Sequence, residues 1–210
     1  MCRAWQVMAL AVAVMIIASN VFGQGQTAGV VVHVHTDGTM PGDVLHEAEA
    51  RATQIFGTIG VSLHWANDEC ECRRPERPHM RHIHMGVLSS ERDQLFATAN
   101  HVSPQTLGLA APAANRVYLF AARLRELAAP SYQAWSVVLG RAMAHEIGHI
   151  LLPGTGHSDR GIMRAVLDNG GIEDPGFTPS ERDSILALLA SERIPASADE
   201  PSRSAALEAD

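Results

Sequence analysis

The residues best placed to do chemistry are His145-Glu146-Ile147-Gly148-His149, an H-E-x-x-H pattern. On a helix, positions four apart lie on one face with Cβ atoms about 5–6 Å apart, so the two imidazoles can share one metal ion. Zinc suits such a pair, with Zn–N bonds of about 2.0–2.1 Å. Glu146 is turned about 100° around the helix from His145. It is therefore free of ligation but within reach of a metal-bound water, whose pKa zinc lowers to about 7. A catalytic zinc takes three protein ligands and keeps a fourth position for water. His157 is the candidate third ligand, because Pro153-Gly154-Thr155-Gly156 breaks the helix and supplies the turn that brings the chain back. Asp159 and Glu173, carboxylates downstream of the motif, compete for the same place.

The full pattern continues as His157-Ser158 and then Gly161-Ile162-Met163. It resembles the metzincin clan of zinc endopeptidases, most closely the matrixin type, over residues 145–163. The gap from His149 to His157 is two residues longer than in that family. The resemblance implies that His145, His149 and His157 hold Zn2+, that Glu146 is the general base, and that Met163 is the methionine of a turn beneath the metal. It also implies a mixed sheet behind an active-site helix, and an edge strand near Arg116 to Phe120 along which an extended peptide lies. Arg164, next to Met163, reads as a surface residue. The expected function is that of a secreted zinc-dependent endopeptidase acting on peptides or proteins. Two alternatives stand beside it: a zinc enzyme acting on a non-peptide amide or ester, and a metal-binding domain without turnover. Glu146 argues against the last, since a purely structural zinc site needs no base and closes with four protein ligands.

The other histidines are less specific. His33 and His35, like His82 and His84, are two apart on strand-like segments, so each pair shares a face. A second metal site there requires the two strands to be neighbours; a polar sheet face is the commoner arrangement. His46, His64, His79 and His101 receive no role. Cys70 and Cys72 form a Cys-x-Cys pair unanswered by a second one, and read as loop cysteines without chemical duty.

These residues need elements to position them. Val30 to His35 is a β-branched strand. Pro41-Gly42-Asp43 opens a helix with Val44, Ala48, Ala52, Ile55 and Phe56 on one side, closed by Gly57 and Gly60. Residues 61–65, 81–88 and 116–120 read as further strands, and 89–112 as an irregular segment that shapes a cleft. From Ser131 to Leu152 the apolar residues follow a helical period over a wide arc, so this helix is expected to be buried. Thr178-Pro179-Ser180-Glu181 is a capping-box signature that opens a helix ending at Ser191. The fold class is α+β: a mixed sheet packed on a long N-terminal helix and a buried active-site helix, with a C-terminal helix.

Composition bounds the rest. The chain has 210 residues, 46% hydrophobic and 19% charged, which suits one globular domain, placed at 29–193. A net charge of −7, with every basic side chain an Arg, lacks the basic stripe that nucleic acid requires. Arg3, the apolar run Val7 to Ala18 and the exit Val21-Phe22-Gly23 read as a signal peptide over 1–23. That run is shorter than the ~20 residues of a membrane span. A secreted or periplasmic protein is expected, without stable membrane insertion after cleavage. Residues 194–210, rich in Ala, Ser, Asp and Glu, read as a disordered acidic tail.

Overall fold

A computed structural model describes residues 28–67, 80–128, 132–166 and 176–192. The segments read above as a signal peptide (1–23) and an acidic tail (194–210), together with Cys70, Cys72, His79 and Glu173, lie outside these residues.

The β-branched run at the start of the domain forms β1 (Ala28–Thr36), an interior strand of a five-stranded sheet. It is followed by α1 (Gly42–Gly57), β2 (Val61–Asn67), β3 (Arg81–Leu88), α2 (Ser90–Asn100), β4 (Gly108–Ala111), β5 (Arg116–Phe120), α3 (Ala121–Ala128), α4 (Tyr132–Leu151) and α5 (Pro179–Ser191). The sheet order is β2-β1-β3-β5-β4, parallel throughout except for β4, which runs antiparallel to β5. Parallel neighbours need a crossover connection, and α1 is the one between β1 and β2.

Strand alternation gives the sheet two unlike faces. Val30, Val32, Val34, Ile83, Met85, Val117 and Leu119 point inward and join one core with the apolar stripes of α1 and α4. Ile55 and Phe56 of α1, and Leu139, Met143 and Ile147 of α4, are at most 1% exposed. Each such side chain contributes about 1.5–3 kcal/mol on burial. The opposite face carries His33, His35, His82 and His84, and is covered near β5 by α2, whose Phe96 ring lies 4.5 Å from that of Tyr118.

The fold is a mixed α/β one, with the expected mixed sheet, long first helix, buried helix and terminal helix. Three features differ from expectation. Residues 89–112 contain α2 and β4, and α3 follows β5 directly. The third difference bears on function: Arg116 to Phe120 is not the edge. It is flanked by β3 and β4, so the edge on that side is Gly108–Ala111. Among the described residues, no helix is long and apolar enough to cross a membrane.

Candidate metal centre

The helix α4 is apolar almost all round, which places its C-terminal half inside the domain and takes His145 and Glu146 with it, at 8% and 7% exposure. One turn on, His149 is half-buried. The helix ends at Leu151, with the Leu152 amide still donating to the Gly148 carbonyl. Pro153 cannot continue it, and Gly154 takes φ +80° to reverse the chain. The reversal returns an exposed His157 to the two helical histidines.

The three imidazoles meet. His145 Nε2 and His149 Nε2 are 3.1 Å apart, and the His157 ring centre is 5.2 Å from that of His145 and 5.0 Å from that of His149. One nitrogen from each ring lies within 4.8 Å of the others, a group able to hold a metal ion. Two nitrogens bound tetrahedrally at 2.0–2.1 Å sit about 3.3–3.4 Å apart, so the helical pair already has close to the separation of ligands on one zinc. The tautomer of His145 is fixed as well. Its Nδ1 is 2.8 Å from the Ile162 carbonyl, which can only accept, so Nδ1 carries the proton and Nε2 presents its lone pair. Of the two rivals for the third position, Asp159 is exposed and outside this group.

The electrostatics suit a cation. Burial holds His145 below the usual imidazole range, against the pull of its Ile162 hydrogen bond. His149 is lowered to about 4, first by burial and then by its neighbours His145 and His157. Both rings are therefore neutral at pH 7, the form that binds metal. Burial also pushes Glu146 up to about 8, so in the absence of metal its carboxyl is protonated at pH 7. A dication beside it reverses that preference.

Around the Met163 turn that the resemblance implied, four supports were not legible as site features in the sequence: the Ile162 carbonyl, Glu181, Gly108 and Arg123. The turn Gly161-Ile162-Met163 supplies the Ile162 carbonyl, while the buried Met163 packs beneath the helix at Gly148, where a Cβ would stand 2.4 Å from its sulfur. Glu181, in the capping box of α5, receives the N–H of Thr178 and also the hydroxyl of Ser158, the residue after His157. On the far side of the cleft, a Cβ on Gly108 would come 2.5 Å from Glu146 Oε1, so β4 passes over the carboxylate only because its first residue lacks a side chain. Arg123 holds the approach to β4: its guanidinium pairs with the buried Asp93 and donates to the carbonyls of Ser103 (2.7 Å) and Thr106 (2.8 Å).

The cleft so formed has a volume of about 300 Å³, and Leu107, Gly108, His145, Glu146, His157 and Arg164 are among the residues lining it. Arg164, read as a surface residue, is exposed yet stands at this rim. The expectation that residues 89–112 shape the cleft agrees with the position of Gln105 to Gly108.

No protein-family model and no curated protein matches this sequence. Among solved structures, the chain is similar to archaemetzincin from Methanopyrus kandleri, with 13% identity and a TM-score of 0.49 over 80% of this chain and 99% of that one.

Proposed function

We propose that this chain is a zinc-dependent peptidase in which His145, His149 and His157 hold the metal and Glu146 is the general base. One observation carries the reading: three imidazoles converge in a cleft with a buried carboxylate at its wall and a sheet edge above it. Zinc held by His145, His149 and His157 would supply an acidified water and a Lewis acid toward the carbonyl. Glu146 takes the proton of the attacking water on a carboxylate oxygen and passes it to the departing amine. Its burial keeps bulk water from competing for that proton.

A peptide substrate fits because the cleft is bordered by backbone. The strand β4 is bonded to β5 on one side only, and an extended chain laid along its other edge extends the sheet over the three histidines. Export by the segment 1–23 and a metzincin arrangement of the matrixin type belong to this proposal, supported by the apolar run after Arg3 and by the seating of Met163 under Gly148. Hydrolysis of a non-peptide amide or ester uses the same groups; digestion of casein or a peptide library against a panel of small amides and esters separates the two.

The decisive measurement is Glu146→Gln. It is expected to bind zinc as the parent does and to lose about 10²–10⁴ in kcat, the usual contribution of a positioned base. Parental turnover in the zinc-loaded variant would sink the catalytic reading.

A further inference from the structure

The outer face of the sheet carries a second set of imidazoles. The strands β1 and β3 are parallel neighbours, with His33 directly opposite His84. Because residues two apart share a face, His33, His35, His82 and His84 form one ladder pointing away from the core, with His35, His82 and His84 exposed. His33 Nε2 lies 2.9 Å from His82 Nδ1, and His35 Nε2 lies 3.3 Å from His84 Nδ1. Neighbouring rings stack at 4.8–5.6 Å with interplanar angles of 13–23°.

We infer that this ladder is a metal site, binding one divalent transition-metal ion of the kind that favours imidazole through a cross-strand histidine pair. Nitrogens bound at 2.0–2.1 Å lie about 2.9 Å apart at a right angle and about 3.3–3.4 Å apart at the tetrahedral angle, so both pairs have the spacing of adjacent ligands. An imidazole-to-imidazole contact needs a lone pair on one ring, so the pairing favours neutral rings, the ligating form. His84 is held low by burial and by the neighbouring His33, His35, Arg116 and His82, which disfavours its own protonation. The scaffold is rigid: β1 and β3 are each bonded to strands on both sides, so the four rings are fixed to within side-chain rotation. The donors converge in twos, so solvent completes the coordination and binding is weaker than at the buried centre. One ion is expected per ladder, because two dications in adjoining pairs, about 5 Å apart, repel. Imidazole and an open coordination sphere favour Cu2+, Ni2+ or Zn2+ over Ca2+ or Mg2+.

The test is a Cu2+ titration of the untagged full chain, followed by electron paramagnetic resonance, in the parent, in His149→Ala and in His82→Asn/His84→Asn. One copper equivalent showing coupling to two imidazole nitrogens is expected to survive in His149→Ala. In the ladder variant that equivalent is expected to weaken at least tenfold while peptide hydrolysis is unchanged. His82 and His84 are exposed, so their replacement leaves the core intact, and His33→Asn repeats the measurement at a third position. Unweakened copper in the ladder variants, or a spectrum with oxygen donors alone in His149→Ala, would overturn the inference. Neither result bears on whether the buried centre hydrolyses peptides.

Discussion

Two groups of histidines in this chain have similar nitrogen separations, 3.1 Å at the end of α4 and 2.9–3.3 Å across β1 and β3, and quite different surroundings. The first stands at a helix end with His145 buried, has that residue's tautomer fixed by the Ile162 carbonyl, and lies beside the buried carboxyl of Glu146. The second lies open on a sheet, ring against ring. Separation alone therefore does not distinguish the two groups. The burial of His145, its fixed lone pair and an adjacent buried carboxyl are what set α4 apart from the ladder.

That contrast is most directly broken by single substitutions. His145→Ala is expected to remove the ion from the buried centre and to lower hydrolysis about a thousandfold, corresponding to several kcal/mol of charge stabilisation. His84→Ala is expected to stay within twofold of the parent in the same peptide assay. Equal losses in both variants would erase the distinction. Chelation comes next. A bound zinc at a thousand times its dissociation constant adds about 4 kcal/mol, or about 8–16 °C in Tm for a chain of this size. Calorimetry should show that drop on chelating the parent and little change on chelating His149→Ala.

Smaller effects sharpen the comparison from the side of the base. Gly108→Ala pushes a methyl group toward Glu146, and overpacking of this kind costs about 1–3 kcal/mol. A fall of about tenfold in kcat/KM with unchanged zinc content is the expected signature, read by parallel kinetics and metal analysis. The smallest effect is in the metal-free protein. Glu146 is raised from 4.5 to about 8, so the folded state binds the extra proton, and its stabilising effect is lost as pH rises from about 4.5 through 8. His149 is lowered from 6.5 to about 4, so its effect is the reverse: stability is lost as pH falls from 6.5 toward 4. The two oppose each other between 4.5 and 6.5. Above 6.5 the glutamate acts without that opposition, and Tm of the metal-free parent should decline toward pH 8 more steeply than that of Glu146→Gln. Parallel melting curves for the two would count against a buried neutral carboxyl.

The sequence carried the parts of this site that depend on local period and local chemistry. The i, i+4 histidines, the Pro-Gly break and the capping box Thr178–Glu181 each state their geometry within a few residues, and each is found where expected. What stayed hidden depends on partners distant in sequence. The strand β4 is Gly-Leu-Ala-Ala, poor in β-branched residues, and is a strand only because β5 pairs with it. The helix α2 buries an acid, Asp93, rather than an apolar stripe, because its fixed point is the guanidinium of Arg123 thirty residues on. The helix α3 follows β5 with no turn residue to announce it. With β4 unseen, nothing in the sequence stood against the edge that the resemblance implies near Arg116 to Phe120.

The carboxylate of Glu181 has a mechanical consequence. It closes the first turn of the last helix and, through Ser158, also anchors the segment that delivers His157. In the proposed site the third imidazole is thus tethered to the first turn of α5, and unwinding of that turn would loosen the hold of His157 on the cation.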